Sequence, residues 1–236
     1  MGFGVHLEAG WTLFGHLDCM NIKLKYLQIC IAPFILEAEG VRNMKALERF
    51  KKHLTPGQVY RRGDLEQWSK AVDRHLNQLV TDRTLQKLSP GLYYRPAQAS
   101  FGELPPEDVA LVRAFLKSDE FLLTSPNFYN TLGVGTTQLY NTRVVYNHKR
   151  HGKFTLGGKV FDFRLKHKFP KKLTREFLLV DLLNNLDGLA EDCEEVLRYT
   201  KEKALAASGQ SMKRAVRAYA GERTKKIFDI WLTRES

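Results

Sequence analysis

Apolar residues recur at helical spacing between positions 69 and 80. Ser69 precedes the first of them, and serine is a favoured residue at the start of a helix. The pattern therefore predicts an amphipathic helix from Ser69 to Val80. Its apolar positions, at i, i+4, i+7 and i+8, are Val72, Leu76, Leu79 and Val80. Its other face, with His75 at the margin, carries Lys70, Asp73, Arg74, Asn77 and Gln78.

A second, shorter helix is predicted immediately before this one. Residues 62–68 read as about two helical turns, with Asp64 as a candidate cap. Val59-Tyr60 gives an extended start to the segment. Further upstream, a clean helical stretch begins at Met44 and leads into this region.

A β-hairpin is predicted after the long helix. Residues 84–88 and 91–95 read as short strands, and Ser89-Pro90-Gly91 supplies the turn, with glycine where the backbone needs freedom. The elements thus follow one another as helix, turn, helix and hairpin. This order predicts a winged helix-turn-helix over residues 44–97.

The chain changes character after Pro96. The proline and glycine content of residues 97–106 predicts a linker. The expected fold class is α+β, with the winged helix-turn-helix followed by a mixed α+β domain over residues 98–236. The elements predicted there are helices over 107–117, 176–186 and 190–199, strands over 121–123, 144–147, 152–156 and 159–165, and a basic helical tail over 209–231 split at Gly221.

Residues 1–43 differ from the rest of the chain. The apolar run at 29–36 is far shorter than the roughly 20 residues that span a bilayer, and Pro33 interrupts it. The segment is also a poor match to a signal peptide. We expect an N-terminal extension that is poorly ordered, with Met44 as the natural start; a peripheral anchor or a packed extra helix are the alternatives.

The net charge indicates which class of partner the protein binds. The 236 residues carry a net charge of +11, and residues 44–97 alone contribute +6. An excess of this kind favours a polyanionic partner. The three cysteines, Cys19, Cys30 and Cys193, have no metal-ligand spacing, which indicates a reducing compartment and a cytoplasmic protein without structural zinc.

The polar face of the predicted helix fits DNA. Arg, Lys, Asn and Gln match the donors and acceptors that base edges present in the major groove. Lys87 and Arg95 are expected to flank the hairpin tip, where a wing meets phosphate or the minor groove. A merely solvated face is the alternative. The candidate DNA-binding residues are Arg61, Arg62, Ser69, Lys70, Asp73, Arg74, Asn77, Gln78, Lys87 and Arg95.

A basic run occupies residues 143–175, where eleven Lys or Arg face one Asp and aromatic residues interleave with them. A second nucleic-acid surface and a docking face for an acidic protein both fit this pattern, as does a hairpin with one solvated side. The residues concerned are Lys149, Arg150, Lys153, Lys159, Arg164, Lys166 and Lys168.

The sequence predicts no enzyme, no cofactor and no metal site. Residues 133–137 resemble a phosphate-binding loop only superficially, because the lysine of that motif is missing, and a tight turn is the preferred interpretation. His148, His151 and His167 lack carboxylates at ligand spacing. Asp181 stands alone in an apolar helix, where Arg175 or Lys172 could pair with it.

Three segments resemble AbiEi-like antitoxins of type IV toxin–antitoxin systems. The winged-helix part of the resemblance lies in YRRGDL at 60–65, AVDRHL at 71–76 and LSPGLYYRP at 88–96. LGVGTTQLYN at 132–141 and LTREFLLVDLL at 173–183 look like segments of the domain that follows. The resemblance runs from about Met44 to Phe228 and has no counterpart for residues 1–43.

This resemblance implies a DNA-binding antitoxin and transcriptional autorepressor. The winged helix would bind inverted repeats in the promoter of its own operon, and the C-terminal domain would counteract a nucleotidyltransferase-like toxin encoded nearby. A dimer on paired half-sites is compatible with this role. Two other classes stay open: a stand-alone winged-helix regulator whose C-terminal domain senses a ligand or partner, and an RNA-binding accessory protein that uses the basic run.

Overall fold

The computed structural model describes residues 44–134, 136–207 and 209–233. The chain divides between Leu54 and Thr55 into two units. In the first unit, residues 44–52 are helical (α1), and the expectations for residues 1–43 lie outside the described residues. Across the described ranges, no helix combines the length and apolar character needed to cross a membrane.

The second unit mixes helices and strands, which makes the fold class α+β. It begins with β1 (Val59–Arg61), α2 (Arg62–Leu65), a 3₁₀ helix (Glu66–Trp68), α3 (Val72–Thr81), β2 (Gln86–Ser89) and β3 (Leu92–Tyr94). The three strands are antiparallel, and β3 lies between β1 and β2. Gly91 turns the β2–β3 hairpin at φ +74°, a conformation that costs glycine little. The predicted hairpin is confirmed.

The apolar stripe of α3 faces inward, as predicted. Leu76 and Leu79 are fully buried, and Val72 is 4% exposed. Val80, at the edge of the stripe, is half-buried. Burying each of these aliphatic side chains contributes about 1.5–3 kcal/mol, so this face anchors α3 in the interior and the polar face is left for other contacts.

The helix begins three residues later than predicted, at Val72 rather than Ser69. The residue at its N-cap is Ala71, which offers no side-chain cap. Ser69 Oγ instead accepts a hydrogen bond from the Ala71 amide at 3.1 Å and lies 2.9 Å from His75 Nδ1. His75 is consequently drawn inward and is 4% exposed, not marginal as predicted. Burial lowers the pKa of His75, and the positive charge of Arg74 lowers it further.

Asp64 is not a helix cap either. The N-cap of α2 is Arg61, which makes no side-chain capping bond. The Asp64 carboxylate is taken instead by the Arg61 guanidinium, at 2.6 and 2.8 Å. A carboxylate that is already bound bidentately by arginine is not available to a helix N-terminus.

The predicted linker is a second hairpin. Ala97–Ala99 (β4) pairs with Gly102–Leu104 (β5) in antiparallel register. Two contacts hold it to the first sheet: the Tyr94 hydroxyl donates to the Leu104 carbonyl at 2.8 Å, and Gln86 Nε2 donates to Glu103 at 2.7 Å. Proline and glycine occur in tight turns and in flexible linkers alike. Here the strand pairing and these side-chain contacts show a tight turn in an ordered hairpin.

Removing one hydroxyl tests this second hairpin. We expect Tyr94→Phe to lower the free energy of unfolding by about 0.5–1.5 kcal/mol and to raise amide hydrogen exchange in residues 97–104, because the Leu104 carbonyl loses its donor. Tyr93→Phe, on the same strand, is the matched control and should change neither quantity. Equal behaviour of the two variants in urea unfolding and hydrogen exchange would contradict the role of the Tyr94 hydroxyl.

A four-stranded sheet follows, in the order β6-β7-β9-β8. All four predicted strands are confirmed, while the parallel pairing of β7 with β9 was not predicted. The strands are β6 (Phe121–Thr124), β7 (Arg143–Asn147), β8 (Gly152–Leu156) and β9 (Lys159–Leu165). The helices are α4 (Asp108–Leu116), α5 (Arg175–Asn185), α6 (Cys193–Ala206), α7 (Gly209–Tyr219) and α8 (Glu222–Thr233), with 3₁₀ helices at Pro126–Leu132 and Leu186–Gly188.

Two of the apolar cores among the described residues of the second unit concern the candidate site. One joins Leu92 of β3 to Leu111 of α4 and to Phe161 and Phe163 of β9. Residues on both sides of the 97–104 hairpin therefore share a single core. The other core surrounds α5, which is buried along most of its length between α6, α7 and α8. Thr174 caps α5 by accepting from the Phe177 amide at 3.2 Å.

Candidate nucleic-acid interface

The polar face of α3 is exposed. Five residues of α3 are exposed, and they are Asp73, Arg74, Asn77, Gln78 and Thr81. Lys70 is also exposed but precedes the helix, and half-buried Ser69 faces His75. The predicted recognition surface is thus divided between one helix face and the turn before it.

Arg62 joins α2 to α3. Its guanidinium donates two hydrogen bonds of 2.6 Å to the carboxylate of Asp73 and also binds Glu66. The hydrogen bonds to Asp73 and Glu66 raise the pKa of Arg62 above its ordinary value, and the bond from Arg62 lowers the pKa of Asp73. Both residues were predicted to contact DNA, and the structure places them against each other. The pair bridges the two helices, and Arg74 is an exposed cation on the α3 face.

The predicted hairpin cations do not both lie at the tip. The register pairs Gln86 with Tyr94, so Arg95 follows the base of the hairpin, at the opposite end from Gly91. The backbone of Arg95 bonds there to Gln58 and Gly57. The prediction that Arg95 flanks the tip was wrong, because Arg95 follows the last residue of β3, four positions after Gly91. Lys87 is exposed on β2, opposite Tyr93.

The β2–β3 hairpin is anchored at its side. The Gly157 amide, in the turn between β8 and β9, donates to the Leu88 carbonyl at 3.2 Å. Leu88 also packs on the core that contains Phe161. The hairpin therefore has a fixed position on the four-stranded sheet.

The basic run of residues 143–175 does not form one face. Several of its cations are engaged within the described chain. Lys159 Nζ lies 2.6 Å from Asp108, which also binds Arg143. Lys149 donates to the Lys117 carbonyl at 3.0 Å, and the Arg150 guanidinium stacks 4.5 Å from the Phe115 ring. These residues are held by the fold rather than arrayed on a common surface.

Four other cations of the run line two cavities that share part of their walls. Lys153 and Arg164 contribute to a cavity of about 390 Å³ beside Tyr129 and Tyr146. Arg164 also borders a wider groove of about 650 Å³, together with Lys166 and Lys168. The structure thus places Arg164 between Lys153 on one side and Lys166 and Lys168 on the other.

Asp181 lies at the centre of a buried polar cluster. Its carboxylate accepts from Tyr146 at 2.8 Å, from Tyr129 at 2.9 Å and from Lys166 Nζ at 2.9 Å. Burial, followed by the negative charge of Asp181, raises the pKa of both phenols. Asn185 donates to both phenol oxygens at 3.3 Å. The prediction that Arg175 or Lys172 would be the partner was wrong, since the charge comes from Lys166.

Two backbone amides at the end of the predicted glycine loop bind a carboxylate of the protein itself. The amides of Thr137 and Gln138 donate to the Glu191 carboxylate at 3.1 and 3.0 Å. An internal carboxylate fills the position that a phosphate would need. Within the described ranges, no group of three His, Cys, Asp or Glu could hold a metal ion, and Cys193 is an exposed free thiol.

Comparison of the chain with protein-family models, curated proteins and solved structures gives no match.

Proposed function

We propose that this protein binds duplex DNA through α3 and the β2–β3 hairpin and represses its own operon. The observation that carries the proposal is the element order of the second unit. A helix pair precedes a two-stranded hairpin, the sheet order is β1-β3-β2, and the longer helix exposes one polar face. Winged-helix proteins place such a helix in the major groove and the hairpin beside it.

The exposed side chains of α3 support recognition of specific DNA bases. Arg74 has the bidentate geometry that matches guanine, while Asn77 and Gln78 match adenine. The Arg62–Asp73 pair supports this role indirectly, because a recognition helix must be held in a fixed orientation. Lys70 and Lys87 are exposed at positions suited to phosphate contacts.

The proposed winged helix-turn-helix covers residues 44–97, and the proposed antitoxin-type domain covers residues 98–236. The antitoxin role, against a nucleotidyltransferase-like toxin, is supported by the resemblance in residues 60–96 and 132–183. Within residues 55–236, the core shared by β3, α4 and β9 supports a hairpin that is held rigidly against the following domain.

A promoter fusion tests autorepression. The DNA upstream of the gene drives a reporter, and the full chain is supplied from a second plasmid. We expect repression by the natural chain and none by Arg74→Ala with Asn77→Ala. Unchanged reporter activity with the natural chain would contradict autorepression, and co-expression with the neighbouring gene then tests the antitoxin role separately.

A ligand-sensing regulator is the second candidate. The cavity of about 390 Å³ favours it, because its volume suits a small molecule and its walls combine phenols, an amide and cations. Such a regulator would release its promoter when a metabolite is added in the same fusion, and it would need no neighbouring toxin.

A further inference from the structure

A groove of about 650 Å³ opens between the end of β9 and the junction of α7 with α8. Among the residues that the structure describes, neither Asp nor Glu lines it. We call it the β9–α7 groove, and its lining includes His151, Arg164, Lys166, His167, Lys168 and Tyr219. Every charged side chain in its wall is therefore basic.

The groove combines fixed and available cations. Arg164 is held by Asp162 at 2.8 Å and by Asn185 at 2.6 Å, and Lys166 is held by Asp181. Lys168, by contrast, is exposed and forms no ion pair with any residue of the described ranges. The groove thus has a floor of ion-paired cations and, among the described residues, an ammonium group without an ion pair at its edge.

Helix α7 extends the positive charge beyond the groove. Ala218 lines the groove, and residues three and four positions apart share one side of a helix. Arg214, four residues before Ala218, lies on the groove side of α7, and Arg217, three residues after Arg214, lies beside Arg214 about 4.5 Å farther along the axis. Both are exposed, and α7 contains no acidic residue.

Flat side chains accompany the cations. The ring of Tyr219 borders the groove and is fixed edge-on against Phe177, at 5.3 Å between ring centroids. The imidazoles of His151 and His167 border it as well. Proteins that bind a single nucleic-acid strand combine a basic groove with such rings, on which bases stack.

We propose that the β9–α7 groove, with Arg214 and Arg217, binds the sugar–phosphate backbone of a single nucleic-acid strand. The cations lie on two elements, the end of β9 and α7, rather than around one point. This arrangement suits the repeating phosphates of a nucleic-acid strand better than a single phosphate ion. The concave shape and the bordering rings suit a flexible strand better than a duplex or an acidic protein surface. The site is separate from α3 and does not depend on the proposed repressor role.

Binding of labelled oligonucleotides tests the groove. Fluorescence anisotropy is measured for RNA and DNA strands of about 12 nucleotides, with the full chain, at about 50 and about 200 mM salt. We expect Lys168→Ala with Arg217→Ala to weaken strand binding at least about tenfold. The slope of log affinity against log salt should become shallower by about 1.4, since each lost phosphate contact removes about 0.7.

A charge-matched variant provides the control. Lys52→Ala with Lys201→Ala removes two exposed lysines that do not line the groove, and it should bind strands as the natural chain does. Equal weakening by both double variants would overturn the proposal, as would equal or tighter binding of an oligoglutamate peptide of the same charge. Preferential binding of either RNA or DNA strands supports it and identifies the natural type of strand.

Failure of the groove proposal can be distinguished from failure of the proposed repressor function. Arg74→Ala with Asn77→Ala should lose promoter repression and keep strand binding. Strand binding that fell with this α3 variant and not with Lys168→Ala and Arg217→Ala would place the single strand on α3 and refute the groove.

Discussion

Asp181→Ala should lower the free energy of unfolding by about 3–5 kcal/mol, the cost of removing one partner from a buried charge pair. Asp181 is fully buried and accepts hydrogen bonds from Tyr129, Tyr146 and Lys166. The variant leaves two buried hydroxyls without their acceptor, each costing about 1–3 kcal/mol. Lys166, with 26% of its side chain exposed, recovers part of its loss by turning to water.

Urea unfolding followed by circular dichroism measures this effect. The control is Asp187→Ala, which removes an exposed carboxylate paired with Arg223 and should cost about 0–1 kcal/mol. Tyr146→Phe keeps the Asp181 charge and removes one hydroxyl, so its loss in free energy of unfolding should lie between those of Asp181→Ala and Asp187→Ala. A loss below about 1 kcal/mol for Asp181→Ala would show that the cluster does not stabilise the fold.

Arg74→Ala with Asn77→Ala should remove most of the preference for the protein's own upstream DNA. Each lost base contact costs about 1–3 kcal/mol of discrimination. Two contacts therefore correspond to a loss of roughly 30-fold to 10⁴-fold in the ratio of specific to random binding. Affinity for random DNA should fall only slightly, because a single positive charge is removed. Competition binding with random DNA of equal length measures the ratio.

The matched control removes a cation and an amide elsewhere. Lys201→Ala with Asn141→Ala changes two exposed side chains of the same kinds outside α3. It should leave the ratio unchanged. A similar loss of preference in this control would mean that α3 does not read the sequence.

Local periodicity predicted the parts of the fold that depend on local sequence. The apolar spacing of α3 and the glycine at the β2–β3 turn both report directly on burial and backbone freedom, and both predictions are confirmed. The predicted start of α3 was wrong because the Ser69 hydroxyl does not cap the helix. It accepts from the Ala71 amide and lies beside His75 instead. Spacing alone cannot rank such partners.

The long-range features could not be predicted in the same way. Lys166 reaches Asp181 only because the fold brings the end of β9 to α5, and nothing in the 14 intervening positions marks that contact. The parallel pairing of β7 with β9 likewise depends on the whole sheet. A signal was present for the cluster itself, since a lone Asp in an apolar helix must find buried donors. For the β9–α7 groove, the basic charge of residues 164–168 was visible in the sequence, but the position of these residues beside Ala218 and Tyr219 of α7 was not.

The affinity ratio of the full natural chain for its own upstream DNA over random DNA, at about 50 and about 200 mM salt, tests the α3 proposal most directly. We expect a ratio of about 10³ or more that persists at the higher salt, as in specific DNA-binding proteins. Equal affinity for both DNAs, lost together as salt rises, would mean phosphate attraction alone and would contradict sequence reading by Arg74, Asn77 and Gln78.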